Sequence, residues 1–309
     1  LPGVMLELLD IGAVDVVDGA GQPKMDSGRG GQAIYPLMGM AGGFAIICVI
    51  SIIYSIQHPR VRDERSLKDC GVELLGRIPR LKTKDKGENA AYLNAVFPME
   101  SPSGEEEPGK GNRECSDAEK NRGSYVRLAA VLRHELENSQ KKIIAVASAN
   151  PGEGKTTVAY NLALSMQETG CKVLLLDYDF RHGSLYQYVK KHKEYDGDKR
   201  EPRDGNLRKY VERLDSGIHT VVGFAKQKIF DGEGELAAAI RELADEYGVI
   251  LIDTPAIGLY PDMLQMGKLA DGVLLVVRKD MATVDAVYEA VKELTAAGIH
   301  IVGGVLNGV

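Results

Sequence analysis

Residues 143–157 read Ile143-Ile-Ala-Val-Ala-Ser-Ala-Asn-Pro-Gly-Glu-Gly-Lys-Thr-Thr157, and the reading of this stretch decides the fold. An apolar run suited to a strand, Ile143 to Val146, enters a loop of small residues. The loop ends in Gly154-Lys155-Thr156, where a helical pattern begins, Val158 to Met166. Strand, glycine-rich loop and helix in that order make a phosphate-binding loop. Gly152 and Gly154 let the backbone aim its N–H groups inward at an anion. Lys155 adds a point charge for the β- and γ-phosphates, and the Thr156 hydroxyl suits Mg²⁺. The strict pattern GxxxxGK[ST] expects Gly at 149, and this chain has Ala149, a departure of one small Cβ. A glycine-rich turn with an accidental Gly-Lys-Thr would not need the flanking strand and helix in the required order.

Outward from the loop, a second apolar run, Val173 to Leu176, ends at Asp177, with Asp179 two positions on. A third, Val249 to Ile252, ends at Asp253. Ligands of open parallel sheets sit at the carboxyl ends of the strands, so these acids are expected on the rim that carries the loop. A single Asp after a strand is more often a cap or turn residue. Two such strands beside a phosphate loop favour phosphate and metal chemistry, with Asp253 in the position of a Walker B carboxylate. Further strands are predicted over Thr220–Val222, Val273–Val277 and Ile299–Leu306. Helices are predicted over Glu235–Tyr247, over Val284–Ala296, and where Tyr125, Leu128, Val131, Leu132 and Leu136 recur at helical spacing. Short apolar strands alternating with helices predict an α/β fold: a parallel sheet with helices on both faces.

The 309 residues suffice for one or two domains with a real core. A net charge of −6 with 27% charged residues gives no reason to expect a nucleic-acid partner. The four cysteines, Cys48, Cys70, Cys115 and Cys171, form no CxxC pair, so neither a zinc site nor a disulfide framework is indicated. Leu1 in place of Met predicts that the natural N-terminus lies upstream. From Gly30 to Gln57 no residue is charged, and the densest part, Leu37 to Ile56, has the ~20 residues that a helix needs to cross roughly 30 Å of hydrocarbon. A buried core helix is the rival reading, and the lack of any polar face argues against it. Arg60, Arg62, Arg65 and Lys68 follow it, against Lys24, Asp26 and Arg29 before it, so the rest of the chain is expected in the cytoplasm. The expected organisation is an extracytoplasmic strand (around Val14 and Val16) and linker over 1–35, and a transmembrane helix over 36–57. A juxtamembrane segment and flexible linker would cover 58–122, and the globular domain 123–309.

As a set, these motifs resemble the bacterial tyrosine kinases (BY-kinases), the cytoplasmic halves of capsule and exopolysaccharide co-polymerases. Ala149–Thr157 is similar to their phosphate loop, Leu175-Leu-Asp177-Tyr-Asp179-Phe-Arg181 to their second, Walker A′ motif, and Ile250–Pro255 to their Walker B region. Asp262, Asp271-Gly-Val-Leu-Leu-Val-Val-Arg278 and Gly304-Val-Leu-Asn307 follow as in the family. The Gly-rich apolar helix and Leu75-Gly-Arg-Ile-Pro79 resemble the second membrane helix and its flank in chain-length determinants.

The resemblance implies a P-loop NTPase-type domain behind a single membrane helix in the cell membrane. It also implies ATP and Mg²⁺ as cofactors, protein tyrosines as substrates, a homo-oligomer, and a polysaccharide polymerase or export machinery as partner. Nucleotide would be bound by Pro151, Gly152, Glu153, Gly154, Lys155, Thr156, Thr157, Arg278 and Asn307. Thr156, Asp177 and Asp253 would hold the metal. Asp179, with Asp177 and Lys155, would be catalytic, Asp179 accepting the tyrosine proton. The family's ExxRxxR helix has Val126 and Ala129 where Arg is expected; the sequence ends at Val309 with Tyr288 its last tyrosine, so either the family's Tyr-rich tail lies beyond it or the protein does not autophosphorylate there. The segment between Tyr188 and Phe230 matches poorly. Two rivals remain: a Min-type ATPase, which usually has Lys where this chain has Asn150, and a co-polymerase subunit that binds ATP as an assembly switch without kinase activity.

Overall fold

The computed structural model describes residues 34–80, 111–179, 185–187, 189, 206–214, 216–222, 233–259 and 262–309. The expected strand around Val14, the linker over 19–31, residues 82–110 of the linker expected over 82–122, Arg181 and most of the charged excursion at 190–209 lie outside the described residues; 111–122 of that linker is helical. The chain divides into two compact units, 1–57 and 58–309.

In the first unit, α1 runs from Ile34 to Gln57. Its large apolar side chains over 38–54, among them Phe44, Ile47, Ile50 and Ile53, are at least half exposed. Among the described residues no helix is long and apolar enough to cross a membrane; the side chains of α1 are described over 38–54, short of the ~20 positions a span needs.

The second unit is an eight-stranded sheet in the order β1-β8-β7-β2-β6-β3-β5-β4. The strands are β1 (Leu74–Ile78), β2 (Ile143–Ala147), β3 (Val173–Asp177), β4 (Glu212–Arg213), β5 (His219–Val221), β6 (Val249–Asp253), β7 (Gly272–Arg278) and β8 (Ile301–Asn307). Every pairing is parallel except β4 with β5. The helices of this unit are α2 (Glu64–Asp69), α3 (Gly111–Ser139), α4 (Lys155–Glu168), α5 (Glu233–Ala244), α6 (Asp262–Leu269) and α7 (Val284–Ala296).

Side chains alternate across a strand, and β2 shows what that alternation does. Ile144 and Val146 pack with Leu128 and Leu132 of α3 and with Val158 and Leu162 of α4. Ala145 and Ala147 face Met263 of α6 and Val287 and Leu294 of α7. Both faces are therefore covered, which is why β2, β3 and β6 read as unbroken apolar runs. Residues 58–80, expected as a juxtamembrane segment, contribute α2 and edge strand β1 to this unit. A Cβ on Gly303 of β8 would lie 2.5 Å from Leu75 Cγ, so glycine there is what lets β1 dock. Helix α3 begins at Gly111, earlier than the apolar spacing predicts. Its Ala129, at a position where the resembling family carries Arg, is buried against the sheet.

Candidate nucleotide site

The loop between β2 and α4 turns through Gly152 at φ 78° and Gly154 at φ 94°, backbone that glycine adopts without strain. Gly154 is the N-cap of α4 and offers no side chain to the helix end, so the first N–H groups of α4 lack a side-chain cap. That end of a helix carries positive partial charge, which suits an anion. Lys155 is buried, and its ammonium donates to Ser148 Oγ at 3.2 Å. Ser148 closes its own turn by donating to the Asn150 carbonyl at 2.7 Å.

The acids stand where the strand ends put them. Asp177 and Asp253 are register partners on β3 and β6, and Asp253 also pairs with Val146, at the mouth of the loop. Both are buried, and so is Asp179. Asp177 Oδ2 accepts the Tyr186 N–H at 3.1 Å. Asp177 Oδ1 and both carboxylate oxygens of Asp253 have no full hydrogen bond among the described residues. Burial pushes Asp177 well above the usual carboxylate range, and the charges of Asp253 and Asp179 push it further. Asp253 is pushed up to about 7 by burial and, to a lesser degree, by Asp179; the nearby Thr156 hydroxyl and Lys155 pull it down.

Buried carboxylates with unpartnered oxygens are costly unless a cation meets them. Thr156, Asp177 and Asp253 together fit a hard divalent ion that keeps most of its waters and takes one or two protein oxygens. No group of three or more His, Cys, Asp or Glu that could by itself cage a metal occurs among the described residues.

The two residues expected to hold the nucleotide from the far strands stand beside the loop. Arg278 ends β7 and Asn307 ends β8, register partners of one another. Arg278 Nη1 donates to the Gly152 carbonyl at 3.0 Å, and Asn307 Nδ2 donates to the Glu153 carbonyl at 2.8 Å. They hold the loop's backbone in place. Glu153 is buried too, and it turns back under the loop, accepting from the Asn150 and Arg278 N–H groups. Pro151 and Thr157 are half-buried, and the Thr157 carbonyl accepts from Asn161 Nδ2. Asp271 lies away from the site; its carboxylate caps Lys142 and Ile143 at the start of β2. Asp262 opens α6. Ser148, the partner of Lys155, was not singled out by sequence; its signal would have been a polar residue at the first position after β2.

A parallel sheet whose central strand feeds such a loop, with acids on the two neighbouring strand ends, defines a P-loop NTPase. The family profile described as "ParA: NUBPL iron-transfer P-loop NTPase" matches residues 139–214, which hold β2, the loop, α4 and β3. EpsB of Ralstonia solanacearum is 26% identical over 321 residues, covering 96% of this chain and 39% of EpsB. The tyrosine-protein kinase etk of Escherichia coli K12 is 28% identical over 191 residues, covering 59% of this chain and 26% of etk. The solved kinase domain of Escherichia coli tyrosine kinase ETK superposes with TM-score 0.61 at 21% identity, covering 81% of this chain and 95% of that one, a likeness of fold. The chain is similar to bacterial tyrosine kinases (BY-kinases), and spans 39% or less of EpsB and etk.

Proposed function

We propose that the chain is the nucleotide-binding part of a membrane-anchored, ATP-dependent protein-tyrosine kinase that regulates polymerisation and export of a capsular or exopolysaccharide. The observation that carries this reading is the meeting of a buried ammonium, Lys155, with two buried carboxylates bearing unpartnered oxygens at adjacent strand ends. Within the reading, Lys155 and the N–H groups of 152–157 bind the phosphates, and Thr156, Asp177 and Asp253 hold Mg²⁺. The ion, when bound, offsets charge on the phosphate oxygens. Asp177 and Asp253 orient, and Asp179 takes the proton of an incoming tyrosine hydroxyl. A phenol has a pKa near 10, so that proton moves only as the bond to phosphorus forms.

Membrane anchoring rests on α1, whose uncharged sequence exposes apolar side chains on every face described, with Arg60, Arg62, Arg65 and Lys68 following it. An oligomer and partner proteins of the polysaccharide machinery belong to the same proposal, on the likeness to EpsB and etk.

The test is incubation of the purified full chain with Mg²⁺, ATP and a tyrosine-containing polypeptide, with Lys155→Met as control. Phosphotyrosine that depends on Lys155 is the expected result. ATP turnover without phosphotyrosine would instead assign an ATP-driven assembly switch.

A further inference from the structure

Glu153 runs against the task of the loop that holds it. The loop is shaped for a polyanion, yet it encloses a carboxylate that is 0% exposed. Glu153 Oε1 accepts from the Asn150 main-chain N–H at 2.9 Å and from Asn150 Nδ2 at 3.1 Å. Oε2 accepts from the Arg278 main-chain N–H at 3.3 Å, the longest of the three. The charged groups facing it are Lys155, at the start of α4, and Arg278, at the end of β7. The Lys155 charge stabilises its ionised form, and the Arg278 guanidinium is spent on the Gly152 carbonyl. From β8 the facing residue is the uncharged Asn307, bound to the Glu153 carbonyl.

We propose that binding of a polyphosphate to this loop is coupled to uptake of one proton from water by Glu153, so that nucleotide affinity falls as pH rises. The inference rests on the nucleotide reading above and adds a regulation to that site. A phosphate chain engages Lys155 and brings negative charge beside a carboxylate that has no water to screen it. Both changes favour the neutral acid. The proton is accommodated on Oε2, where the weakest of the three bonds is lost, while Oε1 keeps both Asn150 donors. Burial already pushes Glu153 up to about 7, against the opposing pull of the Asn150 and Arg278 N–H groups and of Lys155. A bound polyanion raises it further. Affinity is therefore highest below that value, declines through the interval between the unbound and bound values, and levels off above it.

The experiment is calorimetric titration of the full chain with ADP in excess chelator, so that no metal displaces protons from Asp177 or Asp253. It is run at pH 7.5 in two buffers of different ionisation heat, where the terminal phosphate, with its pKa of about 6, is already ionised. The wild-type chain is expected to take up a substantial fraction of a proton per ADP, and its Kd to rise about two- to threefold from pH 7.5 to 8.5. Glu153→Gln is expected to lose the uptake and the slope, and Glu289→Gln, on the exposed face of α7, to retain both. Uptake that persists in Glu153→Gln, or that vanishes in Glu289→Gln, overturns the proposal. So does normal ADP binding with a heat independent of buffer, a measurement on the wild-type chain that stands even if Glu153→Gln does not fold. No ADP binding with or without Mg²⁺ would overturn the nucleotide reading itself.

Discussion

At the residue scale, the site is a set of charges held where water is scarce. Lys155 and Asp253 are both buried, and the carboxyl is pushed up to about 7 from the usual 3.8. Below pH 3.8 the folded and unfolded chains both keep that proton. Between 3.8 and about 7 the unfolded chain releases it and the folded chain does not, so stability falls with each unit of pH and then levels off. Asp253→Asn is therefore expected to stabilise the chain at pH 8, without nucleotide or metal, by on the order of 2–4 kcal/mol. The gain should disappear near pH 4, and thermal unfolding across that range reads it. The same substitution is expected to weaken Mg²⁺-dependent nucleotide binding, since it removes an oxygen from the ion. Lys155→Met is expected to raise the Kd for Mg·ATP at least about thirtyfold, the order expected for a charged hydrogen bond lost in a dry site. The placement of Lys155, Thr156 and the three aspartates was legible because loops and strand ends are written in contiguous residues. The contacts of Arg278 and Asn307 were not. Their partners, Gly152 and Glu153, lie 126 and 154 positions away.

At the element scale, the loop works because β7 and β8 end beside it. A Cβ on Gly154 would lie 2.3 Å from Asn307 Nδ2, in a φ region that L-residues avoid. Gly154→Ala is expected to cost about 1–3 kcal/mol of stability and to abolish nucleotide binding, because loop and brace cannot both keep their places. Equilibrium unfolding and calorimetry would check the two halves of that statement. At the other edge, Gly303→Leu is expected to displace β1. Loss of amide-exchange protection over Leu74–Ile78, with β2 and β6 still protected, is the measurement. The central strands were legible as apolar runs ending in Asp, since burial on both faces removes every polar position. β1 was not, because an edge strand is half-buried and shows no such pattern. Nor was the start of α3, whose first residues are polar and carry no apolar stripe.

At the scale of the whole molecule, α1 sets the physical behaviour of the full chain. Its exposed side chains include Phe44, Ile46, Ile47, Ile50, Ile52 and Ile53, an apolar surface that water does not tolerate alone. The full chain is expected to float with liposomes in a density gradient, and the double substitution Ile47→Arg with Ile50→Arg to leave it in the dense fraction. Under the membrane-anchored proposal, two charges near the middle of α1 oppose insertion by roughly 5–7 kcal/mol.

By itself the sequence determined the phosphate loop, the strands beside it and the acids at their ends, because each is a local pattern of a few adjacent residues. Only the tertiary structure decided that Arg278 and Asn307 grip the loop's carbonyls, that Glu153 turns inward beneath it, and that β1 joins the sheet. Those outcomes depend on the register of strands far apart in the chain, and register is set by packing on both faces of the sheet rather than by any neighbouring residue.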